Sequence, residues 1–227
     1  MGKQTNRKPE EAETILSQEI FRELKDGIIS NTIPMGTPLI IRDLAARWGV
    51  STTPVRDAVL MLEAEGWAKP SGRNRIVSIP GTRELLELSE IRLDLELLAF
   101  RKVKHLIDAA MVSRLHDIVE EAKIYDRKRD GVNYMITSTR YHHFLSTQGD
   151  NRVLSASLEQ ILQKLNRQSL SRFEKSQLSR DFTLKEHEQL VYLLSQERWD
   201  DYVLLLTKHI QFWPDFSEVS SDKATHT

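Results

Sequence analysis

The chain of 227 residues contains no cysteine, which excludes disulfides, thiolate metal ligands and cysteine nucleophiles. It also lacks any run of about twenty apolar residues, so no membrane-spanning helix is expected. The start, Met1-Gly2-Lys3-Gln4, leads into polar sequence without the apolar core of a secretory signal. A cytoplasmic protein is expected. Glycine (9) and proline (7) are sparse, and apolar content of 40% with charged content of 29% describes a soluble, helix-rich protein. An excess of charge of one sign is missing too, since 32 Lys+Arg face 33 Asp+Glu. That balance speaks weakly against a nucleic-acid partner, but phosphate responds to a local patch and not to the total.

What is present begins with the stretch from Thr37 to Pro80. Asp43–Trp48 is expected to form a short helix, with Leu44, Ala45 and Trp48 on one face. Gly49-Val50-Ser51 is the turn: Gly49 suits a left-handed backbone after a helix end, and Ser51 suits an N-cap. A second helix, Thr52–Glu65, places Val55, Val59 and Leu62 on one stripe, with Pro54 in its first turn. Thr52, Thr53 and Arg56 fall on the opposite side near its start. Short hydroxyls and free N–H groups suit phosphate there, and an Arg can fork onto guanine. Trp67–Lys69 and Ile76–Ile79 read as two strands around a tip at Ser71-Gly72-Arg73-Asn74. The layout is a winged helix-turn-helix; the bland alternative is a helical hairpin with a surface turn. Six bases (Arg42, Arg47, Arg56, Lys69, Arg73, Arg75) outnumber four acids (Asp43, Asp57, Glu63, Glu65) in this stretch.

Gly49-Val50-Ser51-Thr52-Thr53-Pro54-Val55-Arg56-Asp57-Ala58 and Leu62-Glu63-Ala64-Glu65-Gly66-Trp67 resemble the recognition helix and wing lead-in of the GntR superfamily of bacterial transcription regulators. The resemblance implies DNA contacts by Arg42, Ser51, Thr53, Arg56 and the wing tip Gly72, Arg73 and Asn74. Thr52 stands where that family usually has Arg, and Asn74 where the tip usually has Gly; Asn tolerates a positive φ. An altered operator preference is expected.

The remainder divides simply. Residues 1–11 are expected to be disordered, and Ala12–Ile29 to close the winged domain (12–80) through Ile15, Ile20, Leu24 and Ile28. Pro80-Gly81-Thr82 marks the boundary of a second domain, 82–216, followed by a loose tail, 217–227. Helical periodicity recurs over 83–107, 109–128, 133–148, 151–175, 182–196 and 199–214, with breaks at Asp130-Gly131 and Gly149-Asp150-Asn151. The fold class is therefore mostly α: a winged helix-turn-helix plus an all-α antiparallel bundle, in which ligand sites form between inward side chains.

Polar groups interrupt the apolar faces of that bundle. Arg92 lies in the stripe Leu85, Leu88, Leu95, Ala99. Either Glu96 one turn on neutralises it, or it snorkels to the surface, or it awaits an effector carboxylate. His142 shares a face with Met135, Ser138 and Leu145; His187 with Leu184, Val191 and Leu194; His209 with Tyr202, Leu206 and Trp213. Each can be an ordinary core histidine, or the three can converge on a divalent cation. Glu90-Ile91-Arg92, Glu96, Tyr141-His142, Gly149-Asp150-Asn151, Glu186-His187 and His209 resemble the FCD effector domain of the FadR-like GntR subgroup. The resemblance implies His142, His187 and His209 as metal ligands and Arg92 as the anchor of an organic acid. His143 points off that face and is the weaker candidate. Ser138 stands where metal-binding members carry Asp, so Zn²⁺ or Ni²⁺ is favoured over Mn²⁺; a metal-free anion site is the competitor.

The expected function is a homodimeric, ligand-responsive regulator, a repressor by default, which binds a palindromic double-stranded operator and senses a small carboxylate. It is not expected to be an enzyme. The alternatives are a metal-dependent hydrolase built on the three histidines, or a DNA-associated protein with a vestigial pocket. Against the hydrolase, Glu186 and Glu188 flank His187 and should point to the sides, leaving no base on the ligand face.

Overall fold

The structure, a computed structural model, describes residues 9–173 and 177–211. The chain divides between Ile79 and Pro80 into two compact units.

The first unit opens with α1 (Pro9–Ile29), which begins ahead of Ala12. Proline is favoured at a first helical position, and Pro9–Glu11 are helical where disorder was expected. Residues 1–8 lie outside the described part. Next come β1 (Pro38–Leu39), α2 (Ile41–Trp48), α3 (Thr52–Ala64), β2 (Ala68–Ser71) and β3 (Asn74–Val77). The sheet is antiparallel in the order β1-β3-β2, with Pro38 opposite Ile76, Ala68 opposite Val77 and Ser71 opposite Asn74. β1 escaped the sequence reading because two residues beginning with proline carry no alternation; an edge position is where a sheet tolerates proline.

Ile20, Leu24 and Ile28 of α1, Ala45 of α2, and Val55, Ala58, Val59 and Leu62 of α3 form one core with Trp67 and Val77. Burial of each large side chain is worth about 1.5–3 kcal/mol, so α3 is anchored along one whole face. Gly49 takes φ 64°, and its N–H closes the end of α2 on Ala46 O at 3.3 Å. The wing turns through Gly72 and Arg73. Gly72 carries the positive φ, 59°. That is the pattern of a two-residue hairpin with glycine at its first central position. Asn74 is the first residue of β3, so no positive φ is asked of it, contrary to the expectation for that position.

The second unit contains α4 (Thr82–Val103), continued by a 3-10 turn at Lys104–Leu106, then α5 (Ala109–Arg127), α6 (Gly131–Thr147), α7 (Arg152–Phe173), α8 (Gln177–Ser195) and α9 (Trp199–Gln211). No strand occurs among its described residues. Side chains cap three of the helix starts: Met111 N donates to Asp108 Oδ1 (2.8 Å) and, at the two expected breaks, Asn133 N to Asp130 Oδ1 (3.1 Å) and Leu154 N to Asn151 Oδ1 (3.0 Å). Phe100, Leu115, Leu145, Leu190, Leu194 and Leu206 form the main core, to which α4, α5, α6, α8 and α9 all contribute. This packing faces α6, α8 and α9 toward one another and fixes where their histidines point.

Candidate effector site and DNA-contact surface

On α3 the apolar stripe is turned inward, and Thr52, Thr53 and Arg56 are exposed at its start. Ser51 occupies the N-cap position with an extended backbone, yet its side chain makes no cap hydrogen bond. The hydroxyl and the first-turn N–H groups are thus on the solvent side, where an anion could meet them. Arg42, Gly72, Arg73 and Asn74 are exposed as well. Not every base in the stretch is equally available. Arg75 Nε donates to Glu63 Oε2 at 2.8 Å, and Lys69 Nζ to Ile79 O at 3.1 Å.

In the helical unit, His142 from α6, His187 from α8 and His209 from α9 are all buried and converge. Their Nε2 atoms form a nearly equilateral triangle: 3.1 Å between His142 and His187, 3.2 Å between His142 and His209, and 3.3 Å between His187 and His209. Trp213, placed on the His209 face from sequence, lies outside the described residues. Ser138 is buried one turn before His142 on α6. His143 is directed elsewhere, its Nε2 lying 2.9 Å from both the carbonyl oxygen and Oγ of Ser155, and so ties α6 to α7.

Behind two of the imidazoles stand carboxylates. His142 Nδ1 is 3.0 Å from Glu96 Oε2, and His209 Nδ1 is 2.7 Å from Glu186 Oε2. An ionised carboxylate only accepts, so Nδ1 of each ring carries the proton and Nε2 presents its lone pair to the centre. Burial, ahead of nearby charges, pushes the His142 and His187 imidazoles well below the usual histidine range and keeps them neutral. Lone pairs of His142 and His209 that face each other at 3.2 Å repel unless a positive centre lies between them. The spacing suits such a centre. Metal–nitrogen bonds of about 2.0–2.1 Å separate the nitrogens by about 3.3 Å in a tetrahedral site and about 2.9 Å in an octahedral one. The residues present therefore fit a divalent cation.

Arg92 does not snorkel, being only 3% exposed; its Nε donates to Glu96 Oε1 at 2.6 Å. Glu96 thereby joins Arg92 to His142. Burial raises the Glu96 carboxyl above its ordinary range, and the adjacent guanidinium opposes that rise. Three members of this constellation have no contact to a histidine ring assigned from sequence. Glu96 reads there as a neutraliser of Arg92 and, with Tyr141 and Glu186, as part of the FCD resemblance; in the structure the Tyr141 ring stacks on His187 at 4.3 Å and 22°. Glu186 was expected to point aside; it does leave the face of His187, but its carboxylate reaches the ring of His209. Glu188 behaves as expected and pairs with Lys123. The available signal was the pairing of acids with the histidine faces of other helices, which one helix at a time does not display.

Known proteins share this architecture. Residues 87–212 match the FCD domain, and residues 16–77 match bacterial regulatory proteins of the gntR family. The HTH-type transcriptional repressor RspR of Escherichia coli (strain K12) is 22% identical over 198 residues, 86% of each chain. The gluconate operon transcriptional repressor of Bacillus subtilis (strain 168) is 24% identical over 195 residues, 84% of this chain and 79% of that one. YdhC, an HTH-type transcriptional regulator of Bacillus subtilis (strain 168), is 28% identical over 146 residues, and the chain spans 65% of its length. Among solved structures, E. coli McbR/YncC superposes with a TM-score of 0.71 at 20% identity, covering 87% of this chain and 94% of that one. That likeness shows a shared fold. With a family domain matched over residues 87–212, more than half of the chain, and a second over 16–77, the chain belongs to the GntR family of bacterial regulatory proteins with an FCD ligand-binding domain, and is a transcriptional regulator and not an enzyme.

Proposed function

We propose that this regulator is a homodimeric repressor that binds a palindromic operator and is released by a small organic acid sensed at the three-histidine site. It works in the cytoplasm. Thr52, Thr53 and Arg56 enter the major groove, Arg42 and Ser51 hold phosphate, and Gly72, Arg73 and Asn74 of the wing approach the minor groove. A dimer doubles the basic surface and sets the spacing of two half-sites.

The single observation that carries the sensing half is the Nε2 triangle, 3.1–3.3 Å on its edges, with carboxylates behind His142 and His209. His142, His187 and His209 would hold a divalent cation, which when bound supplies a Lewis-acidic position for an acid's oxygen atoms. Ser138 contributes no charge, so a borderline ion such as Zn²⁺ or Ni²⁺ is favoured over Mn²⁺. Arg92 is tied into the same site through Glu96, which accepts from its Nε and lies against His142 Nδ1. The name of one relative, the gluconate operon repressor, agrees with regulation in organic-acid metabolism. For the effector to control DNA binding, its affinity must differ between the DNA-competent arrangement and the other one.

The test is a gel-shift titration on a selected operator with a panel of hydroxy and keto acids, before and after chelator treatment. Release by at least one acid, lost after chelation and restored by Zn²⁺ or Ni²⁺, is expected. Release unaffected by chelation contradicts the metal, and no release by any acid contradicts the effector class.

A further inference from the structure

The three imidazoles are not supported alike. Glu96 stands behind His142 and Glu186 behind His209, at 3.0 Å and 2.7 Å from the respective Nδ1 atoms. No carboxylate stands behind His187 among the described residues, and its hydrogen-bond contacts are with the other two histidines. The ring against it is that of Tyr141, stacked at 4.3 Å with an interplanar angle of 22°. Tyr141 is itself buried among core side chains, with its hydroxyl making no hydrogen bond. It is also edge-on to His142 at 5.2 Å and 89°.

We infer that Tyr141 is a positioning residue of the effector site, whose ring face does for His187 what carboxylates do for His142 and His209. The inference rests on the metal-site reading above and adds an orienting device on α6 for a ligand on α8. An imidazole pivots about its Cβ–Cγ bond, and one flat wall holds the plane of the ring against that rotation. The hydroxyl meets no protein acceptor, and the contact with His187 is made by the ring face. Removing it therefore costs little, whereas removing the ring frees His187 to turn its Nε2 from the triangle.

The test is calorimetric titration of Ni²⁺ into the full-length wild-type, Tyr141→Phe and Tyr141→Leu proteins, with crystal structures of the metal-free forms. Tyr141→Phe should bind like wild type, with His187 unmoved and the Ni²⁺ absorption spectrum unchanged. Tyr141→Leu should bind at least about tenfold more weakly, with His187 rotated and the spectrum altered. Leu binding as tightly as wild type, with His187 in place, overturns the inference. So does a Phe variant as weak as Leu, which would put the effect in the hydroxyl. Should Leu fail to fold, Tyr141→Met removes the ring at closer volume and carries the same expectations. If wild type takes up no Ni²⁺, it is the metal reading that fails, and the His187 orientation in the metal-free variants still decides the role of the ring.

Discussion

Glu96 joins Arg92 to His142 inside the helical bundle, and this pairing makes a stability prediction with a definite sign and order. Arg92 and Glu96 are 3% and 5% exposed, and the Nε–Oε1 distance is 2.6 Å. Replacing Glu96 with Leu takes its carboxylate from a buried guanidinium and the acceptor from His142 Nδ1. Breaking one side of such a pair costs about 3–5 kcal/mol. Replacing both residues, as Arg92→Met with Glu96→Leu, removes the buried charge together with its carboxylate, and the lost acceptor of His142, worth about 1–3 kcal/mol, remains. The double variant should therefore be more stable than Glu96→Leu alone, which additive effects allow only if Arg92→Met is itself stabilising. Urea unfolding monitored by hydrogen exchange at amides of α4, α6 and α9 reads this in the unit concerned. A double variant less stable than Glu96→Leu would refute the view that the pair compensates itself inside a dry core.

Four changes test the remaining assignments. Arg56→Ala should weaken specific operator binding by about 1–3 kcal/mol in fluorescence anisotropy and relax discrimination at one base position, since its side chain is exposed at the start of α3. An unchanged footprint would remove Arg56 from the contact set. Gly72→Ala has open space for the new Cβ but forces φ 59° on an L side chain, so it should lower wing stability by roughly 1–2 kcal/mol. Melting of the winged unit would register that loss, and no change would mean that the turn readjusts. His187→Ala and His209→Ala should each abolish the effector response in a gel shift while operator binding in its absence persists. A retained response would exclude the triangle as the sensor.

The sequence carried the elements more clearly than it carried the site. Long amphipathic runs such as 109–128 became α5 nearly residue for residue, because packing and propensity agree there. Boundaries slipped where local signals were faint: α2 begins at Ile41 and not Asp43, and β1, two residues long, was invisible. His142, His187 and His209 are legible in the sequence because each breaks an apolar stripe, and the fold brings the three together. Glu96, Glu186 and Tyr141 did not stand out. Acids and aromatics are ordinary on helix faces, and their meaning lies in which ring of another helix they meet, 46 positions away for the Glu96–His142 pair and 23 for Glu186–His209. Such long-range pairing leaves no mark in the periodicity of either helix. Arg92 lay between these cases: the i,i+4 spacing to Glu96 was readable, but choosing between ion pair and snorkelling required its burial.

The central claim is that three imidazoles on three helices form a cation site for sensing, and X-ray absorption spectroscopy at the metal edge, with elemental analysis of protein purified without chelator, tests it most directly. The account predicts close to one Zn²⁺ or Ni²⁺ per chain, with a shell of three imidazole nitrogens at about 2.0–2.1 Å that loses one nitrogen in His209→Ala. A protein that holds no divalent ion after exposure to both metals, or whose metal shell is unchanged in His209→Ala, contradicts it.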